Sequence, residues 1–97
     1  MTPPTRLQRD MGCTLQEFER WLPGATRNLP IDRDGNYYRV HTPHGRVDIL
    51  LEERPPRRIA SITLPILSVT FEFVDMTDDA RAGFLTYFDH YTRRGGG

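Results

Sequence analysis

Residues 37–53 read YYRVHTPHGRVDILLEE. Two alternating runs flank Pro43-His44-Gly45, the pattern of a β-hairpin with one apolar side. With His44-Gly45 as the turn pair, Thr42 opposes Val47, Val40 opposes Ile49 and Tyr38 opposes Leu51. Those six side chains share a face, and all but Thr42 are apolar or aromatic. Tyr37, Arg39, His41, Asp48, Leu50 and Glu52 share the other face. A slip of one residue would mix the two sets, so this register is the expected one. It sets His41 across from Asp48 and Tyr37 across from Glu52.

Working toward the C-terminus, Arg54-Pro55-Pro56-Arg57-Arg58 reads as a stiff basic connection, because proline has no N–H and cannot sit in a central strand. Alternation returns in IASIT and ILSVTFEFV. A turn at Leu64-Pro65 would put Ala60, Ile62, Leu67, Val69, Phe71 and Phe73 on one face. One long strand bent at Pro65 is the alternative. A helix then opens at Thr77, with Asp78 and Asp79 in its first turn and Arg93 and Arg94 in its last, complementing the helix dipole. Ala80, Phe84, Tyr87, Phe88 and Tyr91 form its apolar stripe, and Gly95-Gly96-Gly97 ends it. A helix feeds these glycines, which sets the end apart from the diglycine tails of ubiquitin-like modifiers, where a strand does.

Working toward the N-terminus, residues 25–36 are turn-rich. Before them, Thr14 and Glu17 have the spacing of a capping box. Leu15, Phe18 and Leu22 lie on one helix face, and Pro23-Gly24 is expected to end that helix. Residues 1–10 carry two prolines and no period, and read as a flexible arm.

The expected fold is therefore α+β, a two-layer sandwich in the order α-β-β-β-β-α. Three to four antiparallel strands carry an N-terminal and a C-terminal helix on the face of Val40, Ile49, Val69, Phe71 and Phe73. The polar sheet face stays open. Residues 11–94 form the single domain, between the arm (1–10) and a glycine tail (95–97).

Composition bounds the function. The chain has 97 residues, 37% hydrophobic and 27% charged, enough for one modest core. No stretch approaches the roughly 20 apolar residues of a membrane span, and no signal peptide is read at the start. One cysteine excludes an internal disulfide and fits the cytoplasm. Formal net charge is zero, which argues against a general nucleic-acid coat. All 13 cationic side chains are Arg, which excludes Schiff-base lysine chemistry and fits a bacterial, GC-rich coding bias.

No complete catalytic set is visible. His41 with Asp48 is half of a general-base arrangement without a nucleophile. Cys13 precedes a helix cap, where a thiol can be activated, but Met11 and Leu15 beside it favour burial. His41, His44 and Asp48 share only a spacing, and a strand residue and a turn residue need not converge on a metal. No cofactor or metal is expected. Arg54, Arg57 and Arg58, with Arg39 and a stacking Tyr37, would suit a small anion or a single strand, although the nearby glutamates dilute the field. The leading expectation is a small binding or accessory domain with no turnover. It meets a protein partner or a second copy through Tyr37, Arg39, His41, Asp48 and Leu50 on the open face, where Tyr37, Leu50 and Ile59 are unusually apolar for a solvated surface.

Overall fold

A computed structural model describes residues 4–93. Five strands form one antiparallel sheet: β1 (Arg6–Met11), β2 (Ile31–Asp34), β3 (Tyr37–Thr42), β4 (Gly45–Ile59) and β5 (Ile62–Val74). Their order is β1-β5-β4-β3-β2. The helices are α1 (Leu15–Ala25) and α2 (Asp78–Arg93). Phe18 and Leu22 of α1 and Leu85 and Phe88 of α2 join Val40, Val47, Ile49, Val69, Phe71 and Phe73 in one core. The α+β class and the one-sided helical layer are as expected. The glycine tail lies outside the described residues.

The strand count is five, not three to four. The two additional strands are the edges, and each hides its period with an inward arginine. In β1, which lies largely in the stretch read as an arm, Arg9 stands between Leu7 and Met11. Its guanidinium lies 5.1 Å from the Phe71 ring centre and pairs with Asp89 of α2. In β2, Arg33 lies 5.2 Å from the Tyr38 ring centre and pairs with Glu19 of α1. The long Arg stem covers apolar surface while its head finds a carboxylate, so a polar letter occupies an inward position.

The β3–β4 turn is Pro43-His44, not His44-Gly45. Thr42 pairs with Gly45, Val40 with Val47 and Tyr38 with Ile49. This is a slip of two from the expected register, which preserves both faces and changes every partner. Gly45 has φ 139°, and a Cβ there would come within 2.5 Å of the Val74 carbonyl oxygen. That close approach places Gly45 at the start of β4. The Thr42 hydroxyl supports the turn by accepting from the His44 N–H at 3.0 Å.

The second hairpin turns at Ala60-Ser61, not at Leu64-Pro65, because Ile59 pairs with Ile62. Ala60 supplies the left-handed residue, at φ 54°. Residues 54–58 are thus strand rather than connection. Pro55 and Pro56 fall at a register shift between Arg54 and Arg57, opposite Pro65, where the missing N–H groups break few ladder bonds. Neither β1 nor β3 reaches this far. From about Glu53 outward, β4 and β5 form a two-stranded ribbon that overshoots the sheet, and residues 52–64 are all exposed.

The Thr14–Glu17 capping box is present, with the Thr14 hydroxyl accepting from the Glu17 N–H and the Glu17 carboxylate from the Thr14 N–H. Helix α1 continues through Pro23 to Ala25, because Thr26 still donates its N–H to the Leu22 carbonyl at 3.0 Å. The Thr77 hydroxyl accepts from the Ala80 N–H at the start of α2.

Candidate functional site

Strand alternation and the placement of both helices leave one sheet face uncovered. Register defines its rows. One runs Arg6, Glu72, Asp48, Arg39, Asp32 across all five strands, and the next runs Gln8, Thr70, Leu50, Tyr37, Asp34. Tyr37, Arg39, His41, Asp48 and Leu50 all stand on this face, as their alternation requires.

Asp48 is the best-held polar group there. It is only 5% exposed. It accepts from the Tyr37 hydroxyl at 2.8 Å and from Nε and Nη2 of Arg46 at 2.8 and 3.1 Å. The hydrogen bond and charge of Asp48 push the Arg46 guanidinium further up. The Arg39 guanidinium lies 5.3 Å from the centre of the Tyr37 ring. These contacts hold the Tyr37 ring beside Leu50, its register partner, which is 45% exposed.

His41 and Asp48 are not brought together. The slip of two places His41 opposite Arg46, and its Nε2 lies 2.8 Å from an Asp32 oxygen instead. Arg46 and Asp32, which sequence reasoning did not single out, are thus the actual partners. Nor do the arginines gather. Arg54 is bonded to Glu52 at 3.0 Å. Arg57 and Arg58 are consecutive and pair with Leu64 and Thr63, on opposite faces of the ribbon. Arg39 pairs with Asp48, six residues before Arg54 in β4, or about 20 Å at about 3.3 Å per residue.

Cys13 is 2% exposed. Burial, followed by the Glu17 charge, pushes its thiol up to about 11, which suits a core side chain rather than a nucleophile. Among the described residues no group of three His, Cys, Asp or Glu side chains is arranged to hold a metal ion. No helix among them is long and apolar enough to cross a membrane. A cleft of about 420 Å³ lies between the end of α1, the β3–β4 turn and α2. Its floor is largely apolar, with Leu29, Met76 and Phe84, and the Arg27 guanidinium stands 4.0 Å over the Tyr87 ring at its rim.

The feature that sequence reasoning read only in part is the apolar stripe of the ribbon: Leu50 and Ile59 were expected on the open face, but Ile62 was expected on the core face with Leu67 and is instead exposed. Among the described residues the exposed large hydrophobic ones are Leu50 (45%), Ile59 (51%), Ile62 (58%) and Leu64 (42%). Register places all four on the side of the open face, because Ile62 and Leu64 are in phase with Thr70 and Glu72, and Ile59 is paired with Ile62. The signal was the alternation of Ile62, Leu64 and Ile66, which the expected turn at Leu64-Pro65 divided.

No protein-family model matches this chain, and no curated protein does either.

Proposed function

We propose that this domain is a binding module that works through the uncovered face of its sheet, with no turnover of its own. The observation that carries this reading is the placement of its exposed large hydrophobic side chains. Ile59, Ile62 and Leu64 lie together at the end of the ribbon, and Leu50 stands on the same side about 20 Å away at about 3.3 Å per residue. Scattered apolar residues are ordinary on a surface, but a cluster such as that at the ribbon end marks an interaction site. The Tyr37–Asp48–Arg46 network supports it, because a ring already held by hydrogen bonds loses little side-chain freedom on contact. The partner is a protein surface, either a different chain or a second copy.

The test is a chemical-shift titration of labelled protein, first by dilution and then against host protein fractions. Resonances of residues 37–52 and 59–72 are expected to move, and the Tyr37→Ser/Leu50→Ser double variant to abolish the movement. If the double variant folds and responds as the parent does, the open face is not the binding surface. Shifts confined to residues 54–58 on adding a short oligonucleotide at low salt would replace this reading with an anion site.

A further inference from the structure

We infer that the cleft between the end of α1, the β3–β4 turn and α2 binds a small monocarboxylic acid with a flat apolar body, its carboxylate held by Arg27 and its body lying on α2 at Gly83. The cleft is on the helical side of the sheet, so the inference does not rest on the open-face reading. Three observations carry it: an apolar recess of ligand size, a helical glycine that no neighbour accounts for, and a rim cation without a carboxylate.

At about 420 Å³ the recess falls within the range of about 300–1,000 Å³ that small-molecule sites occupy. Its floor is braced from beneath. The Phe84 ring meets those of Phe71 and Phe73 edge-on, with centres 6.4 and 6.0 Å away. A floor packed in this way does not have to be ordered on binding. Asp79, Gly83 and Tyr87 follow at four-residue intervals along the wall that α2 provides, a row about 12 Å long at about 1.5 Å per residue. In the middle of that row, a Cβ on Gly83 would meet nothing within 4 Å. Glycine is a poor helix former. Gly24, in α1, has its reason in the Tyr91 ring, but among the described residues no neighbour accounts for Gly83 in that way. A flat ring lying over Gly83 would rest directly on the helix backbone, an approach that a side chain there would block.

The rim supplies the charge. Arg9, Arg33, Arg46, Arg54 and Arg81 each pair with a carboxylate. Among the described residues Arg27 pairs with none, and its guanidinium is stacked on the Tyr87 ring. Stacking occupies the face of the planar fork and leaves its N–H edge available to a carboxylate. The turn that presents it is well defined. Arg27 and Asn28 are both left-handed, at φ 57° and 59°, and the Asn28 N–H donates to the Pro23 carbonyl at 2.7 Å. Besides Tyr87, the remaining titratable groups of the lining are His44 and Asp79. One arginine with Asp79 in the same lining suits a monocarboxylate and opposes a dianion such as a phosphate monoester.

Chemical-shift titration with phenylpropionate and with its uncharged amide tests the site. In the parent chain saturable shifts are expected at residues 25–29, 42–44 and 79–87, with the amide bound at least roughly tenfold more weakly than the acid. Arg27→Gln should bring the affinity for the acid down to that for the amide and leave the amide unchanged. Gly83→Leu, whose side chain would stand in the middle of the cleft, should lose both ligands. Circular dichroism confirms that each variant is folded. If Gly83→Leu is not, the comparison of acid with amide in the parent and in Arg27→Gln decides. No saturable shift at about 10 mM acid overturns the site. So do equal affinities of acid and amide for the parent, an undiminished preference for the acid in folded Arg27→Gln, or parent-like binding by folded Gly83→Leu. The open-face reading stands or falls separately, on the response of the Tyr37→Ser/Leu50→Ser variant to host protein.

Discussion

Burial of the Cys13 thiol couples its ionisation to folding. Its pKa rises to about 11 from an ordinary value of 9.0, so the unfolded chain loses this proton first. Below about pH 9 both states hold the proton and the contribution to stability is whole. It falls as pH rises through the window between the two values. At about pH 10.5 the loss is about 2 kcal/mol, from about 1.4 kcal/mol per pKa unit. Urea unfolding of the parent and of Cys13→Ala at about pH 8 and about pH 10.5 should show this extra loss in the parent alone. Equal losses in the two proteins would show that the thiol ionises freely in the fold. Tyr38 behaves in the same sense further up the scale. Burial and its hydrogen bond to Glu19 push its phenol up to about 12 from 10.0, so its contribution begins to fall above about pH 10, but that loss is common to the parent and Cys13→Ala and cancels from the difference between them.

Among the elements, the two helices meet where Gly24 of α1 faces the end of the Tyr91 ring of α2, and a Cβ on Gly24 would collide with that ring. Alanine there gains up to about 1 kcal/mol of helix propensity but overpacks the contact by about 1–3 kcal/mol. Gly24→Ala is expected to destabilise by about 1 kcal/mol in the parent, and to stabilise slightly in a Tyr91→Ala background. A double-mutant cycle with no coupling would contradict this account of the contact. The sheet shows which part of such geometry sequence patterning carries. Alternation in residues 37–53 is blind to a slip of two, since every side chain keeps its face. The core set Val40, Val47, Ile49 and Leu51 was therefore legible, while the partners of His41 and Asp48 were not. What decided the register was the space around Gly45, which tertiary packing against Val74 and Met76 creates. The edge strands were illegible for a different reason: Arg9 and Arg33 act inward as apolar stems, and no periodicity scale credits them. The Thr14 and Thr77 caps were legible because their hydrogen bonds are local. The ribbon was misread at its weakest turn signal, since Ala60 occupies a left-handed position that Gly or Asn ordinarily marks.

For the whole molecule, the layout divides labour between two sides. The helices and the inward faces of the strands supply the core, leaving the outer face and the ribbon uncovered. The edges are each fastened to a helix, β1 through Arg9 and Asp89 and β2 through Arg33 and Glu19. The strand order also has a consequence in time. Strands β3, β4 and β5 follow one another through two short turns, so their contacts close small loops. Strand β1 must find β5 across more than half of the chain, pairing Arg6 with Glu72 and, at its nearest, Met11 with Leu67. Loop closure of that length is slow relative to local hairpins. Pulse-labelling hydrogen exchange during refolding should protect β4 and β5 amides before those of β1, and simultaneous protection would contradict this order. Until β1 docks, the outer edge of β5 stands open along Leu67–Glu72 on a newly made chain. A sheet completed by its first-synthesised strand is exposed to mispairing during the interval when other nascent copies are nearest.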